Sequence, residues 1–169
     1  MKLPLSQLLV LFMALLIGKT AMAATEEVTA NIAFDTPLSI TVYGDPGLGT
    51  VRAGVAEVYS IHPDNGLTAQ NSSSNILYGW AGAADMLITG STTASVQFSV
   101  ANYTADNGVT PSNAVCNYAD DPTAACDGML GGPPGGGTVL FVGVTLTVDG
   151  TQTAGETAEP TFDLTVIYQ

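Results

Sequence analysis

The sequence predicts an all-β protein, an Ig-like antiparallel β-sandwich of about seven strands behind a cleaved leader. Three observations predict it. Short runs alternate apolar and polar residues with period two, the mark of a strand with one buried face. Clusters of Gly, Pro and Asn separate those runs. No segment past the leader repeats its apolar residues at helical spacing.

The leader comes first. Lys2 supplies a positive start, residues 8–17 an apolar stretch, and Ala21-Met22-Ala23 a small-residue cleavage site. Residues 1–23 therefore read as a secretory signal peptide cut between Ala23 and Ala24. The apolar stretch is too short for a membrane span, which needs about 20 residues. The mature chain, residues 24–169, is long enough for one domain with a real core. It divides into an N-terminal extension or first strand, residues 24–36, and a sandwich over residues 37–169.

Charge excludes some functions. The full chain carries a formal net charge of -12, with 15 acidic residues against 3 basic ones. Cleavage removes Lys2 and Lys19 and leaves Arg52 alone. One arginine cannot neutralise a run of phosphates, so nucleic acid is not an expected partner. Anionic lipid headgroups would repel such a chain, so the membrane enters only through the export signal.

Residues 28–42 set the main question. Val28, Ala30, Ile32, Phe34, Leu38, Ile40 and Val42 take the even positions, while the odd ones are mostly polar or small. Pro37 cannot donate to a ladder and breaks the run in two. The second half, residues 38–43, belongs to the sandwich. The first half either pairs within its own sheet or is donated to another molecule, the candidate donor residues being Val28, Ala30, Ile32 and Phe34.

The rest follows in order. Residues 51–61 read as a strand ending at the turn His62-Pro63-Asp64-Asn65-Gly66. Residues 70–75 are a polar loop. Ile76, Tyr78 and Trp80 alternate; these aromatics could stack a sugar, but the same alternation fits core or sheet-face aromatics. Strands are expected over 84–88, 94–100 and 139–148, with Asp149-Gly150 opening a turn. Residues 104–137 read as a long irregular insert holding both cysteines and the run Gly131-Gly132-Pro133-Pro134-Gly135-Gly136-Gly137. That run lacks the Lys-Ser/Thr ending of a phosphate loop. Phe162, Leu164, Val166 and Tyr168 alternate to the end of the chain as the terminal, candidate acceptor, strand.

Chemistry is sparse. Cys116 and Cys126 are the only cysteines. An exported chain meets an oxidising compartment, so they are expected to form one disulfide. A zinc site would need four ligands, and no histidine or third thiol lies nearby. His62 is the only histidine and has no nucleophile motif beside it. Asp120-Asp121 could touch calcium, but no calcium-loop pattern surrounds them. No enzyme, cofactor or metal is expected.

Two resemblances add to this reading. The segment LFVGVTLTVDGTQTAGETAEPTFDLTVIYQ is similar to the C-terminal end of a family of secreted bacterial proteins known only as a domain of unknown function. Its pattern is a V-G-G-T-L-T-V strand, then Q-x-x-G, then an alternating strand ending in Tyr. Val142-Gly143, residues 145–148, Gln152, Gly155 and residues 162–168 match, and Val144 replaces the second glycine. ANIAFDTPLSIT and AADMLITGSTTASVQFSV also resemble that family, while the insert around Cys116 and Cys126 departs from it. The family has no settled activity. More loosely, the architecture resembles fimbrial subunits of the chaperone–usher type, exported sandwiches with an alternating N-terminal extension and an aromatic at the penultimate position, as Tyr168 is here. That resemblance implies assembly by β-strand addition, with self and a periplasmic chaperone as partners.

The expected function is thus a non-enzymatic, secreted structural protein, a subunit of a pilus-like surface filament. The alternative is a monomeric secreted binding module with ligand contacts on loops such as 70–75 or 104–137. Either would work in the periplasm, at the cell surface or outside the cell.

Overall fold

At the middle of the molecule, one long strand organises its neighbours. The structure, a computed structural model, describes residue 29 and residues 31–63, 66–69 and 75–169, the stretch 66–69 by its backbone alone. The expected signal peptide, its Ala23–Ala24 cleavage site, Val28, Ala30 and loop residues 70–74 lie outside the described residues. Residues Phe34–Gln169 form one compact unit.

The fold is all-β and antiparallel. In chain order its strands are β1 (Ser39–Gly44), β2 (Thr50–Val51), β3 (Ala56–His62), β4 (Gly66–Ala69), β5 (Ile76–Tyr78) and β6 (Ala84–Thr89). There follow β7 (Val96–Thr104), β8 (Val109–Tyr118), β9 (Ala124–Ala125), β10 (Leu130–Gly131), β11 (Thr138–Asp149) and β12 (Thr161–Tyr168). The large sheet runs β1-β6-β11-β3-β4, with β8 also on β11 and β9 on β8. A smaller sheet runs β10-β7-β12, and β2 pairs with β5.

β11 is the organiser. Its first part, Thr138 to Val142, pairs with β6, and its second, Thr145 to Asp149, pairs with β3. β8 pairs along both parts. Gly143 sits at the changeover. A Cβ there would lie 2.1 Å from the carbonyl oxygen of Ile61, so only glycine lets the end of β3 come this close.

Even-numbered residues of β11 face inward throughout: Leu140, Val142, Val144, Leu146 and Val148 are buried. The core has two parts. Leu140 and Val142 join Ile88, Val96, Phe98 and Tyr118 under the smaller sheet, with Phe98 and Tyr118 rings 5.1 Å apart. Val144, Leu146 and Val148 join Tyr59, Ile61 and Val109. Burial lifts the Tyr59 phenol well above its ordinary pKa, and the Glu57 carboxylate that accepts its hydrogen bond at 2.8 Å adds to the effect.

The expected sandwich is present, with more strands than expected. Several extra ones are two-residue ladders, too short to leave a periodic signal. The larger correction is β8, ten residues inside what reads from the sequence as an irregular insert. Its buried residues are Val109 and Pro111, then Ala114, Cys116 and Tyr118. The alternation changes phase at Asn113, whose φ of 50° is left-handed, and the β8–β11 register shifts opposite it. That is a β-bulge, and it hides a strand from a strict two-residue template. Pro111 is tolerated because, among the described strands, β8 pairs only with β11 there.

The disulfide is present. Cys116 on β8 and Cys126 just after β9 are joined with Sγ atoms 2.09 Å apart, both fully buried. A disulfide fits an oxidising compartment. No described helix is long and apolar enough to cross a membrane.

Candidate functional site

The alternation of Phe162, Leu164, Val166 and Tyr168 forms β12, whose even residues pack against the core and whose odd residues face out. β12 pairs with β7 along its length. Its other edge has no partner among the described strands. Among the described residues no strand pairs with the backbone N–H and C=O groups along that side, and such an edge is the usual template for strand addition.

β1 borders the large sheet in the same way, pairing only with β6 among the described strands. Its groove-lining residues Ile40 and Val42 remain 39% and 50% exposed, so no described residue covers them fully. Between the two open edges runs a groove of about 1240 Å³. Ile40 and Val42 line one side, Phe162 and Leu164 the other, with Val144 and Leu146 of β11 in its floor. Those are core-type residues on a surface concavity.

The segment leading into β1 is tied to the last residues of β12. The Tyr168 hydroxyl donates to the Thr36 carbonyl oxygen and accepts from the Ser91 amide at 2.6 Å. The Ser91 hydroxyl in turn donates to Asp35 at 2.5 Å. That bond, together with one from the Thr36 amide, holds the Asp35 carboxyl below its ordinary pKa.

Upstream, the candidate donor residues take a simple form where they are described. Residues 31–38 lie in no strand, and Ile32 and Phe34 are 74% and 93% exposed. Ile32 and Phe34, two positions apart, are thus both open to water and free to meet a partner.

Other residues singled out in the sequence fall elsewhere. His62 ends β3 and is half-buried. Asp120 and Asp121 follow β8, and no group of three or more His, Cys, Asp or Glu suited to a metal occurs among the described residues. The Gly131–Gly137 run is not a loop from end to end: Gly131 belongs to β10, and the Gly135 amide bonds the Ser91 carbonyl at 2.9 Å. Tyr78 and Trp80 lie on the surface, 71% and 63% exposed, so neither is a core aromatic. Tyr78 reaches the rim of the groove, while Trp80 lines a second, smaller concavity.

The groove itself was not visible in the sequence. The alternation of β1 and β12 marked each as a strand with one apolar face, but it carries no record of which neighbour covers that face. No family model, curated protein or solved structure matches the chain.

Proposed function

We propose that this protein is an exported, non-enzymatic structural subunit that assembles into a surface filament by β-strand addition. Residues 28–34 of one copy enter the groove of the next and pair with the free edge of β12. The observation that carries this reading is the combination of an apolar groove beside an unpaired strand edge with exposed Ile32 and Phe34 in the same chain. Side chains at every second position of an added strand would face the groove floor. Val28, Ala30, Ile32 and Phe34 are spaced for that. Backbone hydrogen bonds to β12 would supply affinity, and the fit of Ile32 and Phe34 would supply register. The loose resemblance to fimbrial subunits supports the same reading.

Ile32→Asp tests it, because a carboxylate cannot be buried in an apolar slot without a partner. Wild-type mature protein is expected to form filaments or a concentration-dependent ladder of oligomers by electron microscopy and size-exclusion chromatography. The variant is expected to stay monomeric with its sandwich folded. Wild-type protein that stays monomeric at high concentration, with residues 28–34 strongly protected from hydrogen exchange, would show that the segment serves its own chain.

A further inference from the structure

The smaller concavity is built around Trp80. The residue lies between β5 and an isolated antiparallel bridge, Gly47 to Gly82, whose two N–H···O bonds are both 3.0 Å. A Cβ on Gly82 would come within 2.7 Å of the indole Cζ2, and one on Gly47 within 3.5 Å of Cζ3. The six-membered ring therefore spans both glycines and rests on bare backbone. Any side chain at position 82 would push it away. Even so, Trp80 is 63% exposed, so the ring's other side is open to solvent. An indole fixed in this way has little rotamer freedom left to lose on binding.

Around the ring the lining is more apolar than polar, with two carboxylates and a phenol set in it. The concavity, about 490 Å³, is lined by Tyr43, Gly44, Asp45, Trp80, Ala83 and Asp85. That volume suits a small ligand or one segment of a chain-like one. Tyr43 is 65% exposed, and the pairing of Gly44 with Asp85 brings the β1 and β6 contributions side by side. Scattered exposed aromatics are ordinary. Here, however, two aromatics and two carboxylates from three parts of the chain converge on one hollow, over a pair of glycines that makes room for the indole.

We propose that this hollow is a binding site for neutral carbohydrate, specifically for β-linked pyranose rings of the gluco type. Such a ring carries its axial C–H bonds on its two faces and its hydroxyls around its equator. One face is therefore apolar and flat, matching the open side of the indole. The equatorial hydroxyls can donate to the Asp45 and Asp85 carboxylates, and hydrogen bonds to an ionised acceptor are about twice as strong as neutral ones. Tyr43 offers a phenol that is both apolar and hydrogen-bonding. No cation is among the described residues that line the hollow, so acidic sugars meet two like charges. The inference goes beyond filament assembly and does not depend on it: a subunit that cannot polymerise keeps the hollow intact.

Trp80 is the only tryptophan in the chain, so its fluorescence reports this site alone. Titration of folded mature protein with cellohexaose or chitohexaose is expected to give a saturable change in emission. Hexagalacturonate and tetramethylammonium at the same concentrations are expected to give none. By calorimetry, Trp80→Ala should abolish binding, Trp80→Phe should retain a weakened part of it, and Asp85→Asn should weaken it about tenfold, each with the far-ultraviolet circular dichroism of the wild type. Ile32→Asp protein should bind as the wild type does, which separates this site from strand addition. The proposal is overturned if neither neutral oligosaccharide gives a saturable change, if tetramethylammonium or hexagalacturonate binds instead, or if folded Trp80→Ala or Trp80→Phe binds as tightly as wild type.

Discussion

The hydroxyl of Tyr168 lies 2.5 Å from the carbonyl oxygen of Thr36, joining the last strand to the segment that enters the first. These residues are 132 positions apart in sequence. The same hydroxyl caps the amide of fully buried Ser91. Through this one hydroxyl, β12, the segment before β1 and the turn after β6 meet at a common point.

Removing that hydroxyl should loosen the junction between β12 and the segment before β1. Tyr168→Phe leaves the Ser91 amide without its acceptor, and a buried unsatisfied donor costs about 1–3 kcal/mol. Urea denaturation should show a loss in that range with an unchanged m-value. Hydrogen exchange at Ser91 should quicken in parallel. An unchanged exchange rate would mean that the contact is not maintained in solution.

Gly143 should be far less replaceable than its composition suggests. The Cβ of Gly143→Ala would meet the Ile61 backbone at 2.1 Å, and backbone in paired strands cannot step aside. A loss at the upper end of the about 1–3 kcal/mol typical of overpacking, or beyond it, is expected. Gly136→Ala is the control, since nothing lies within 4 Å of its added carbon. Its effect should stay within about 0.5 kcal/mol. Similar melting temperatures for the two variants would contradict the assignment of Gly143 to a crossing point.

The disulfide should be supportive rather than indispensable. It closes a loop with a sequence separation of 10, for which the chain-entropy model gives at most about 3 kcal/mol. Because both sulfurs are fully buried, Cys116→Ala with Cys126→Ala is the cleaner deletion; the corresponding serines would bury hydroxyls at added cost. The alanine pair should fold and unfold cooperatively at lower urea. A protein already unfolded at room temperature would show that the bridge holds far more than a local loop.

Acid should open the turn after β11. Asp149 accepts from the Thr151 amide at 2.9 Å, from its hydroxyl at 2.8 Å and from Gln152 Nε2 at 2.9 Å, and these donors hold its carboxyl below the ordinary value. A depressed folded-state pKa means the stabilisation is present above the unfolded value of about 3.9 and is lost as pH falls through the folded one. Asp35, depressed by Ser91, acts in the same direction. The Thr151 amide resonance should therefore hold steady from pH 8 to about 5 and titrate with a midpoint under the ordinary aspartate value. A midpoint at or above that value would contradict the hydrogen bonding described.

The sequence speaks clearly where one strand keeps one phase. Residues 84–88, 139–148 and 162–168 each read as strands, and β6, β11 and β12 lie within a residue or so of those limits. It speaks poorly where phase changes, as at Asn113 in β8, because a bulge moves the apolar residues to the opposite parity. It is silent on what depends on two distant segments at once. The groove needs β1, β11 and β12 together. The Trp80 hollow needs Gly47 to face Gly82, and neither glycine differs on paper from any other turn glycine.

Strand β11 also dictates when this protein can fold. β6, β3 and β8 all pair with β11, which spans Thr138–Asp149 near the end of the chain. Until that strand arrives, the centre of the large sheet has nothing to form against. Such non-local pairing makes for slow folding, with loop-closure entropy lost before contacts compensate. A chain emerging from its N-terminus would thus leave the centre of that sheet unformed until residues Thr138–Asp149 had appeared. Late completion leaves the apolar faces of β3, β6 and β8 unsheltered for that interval.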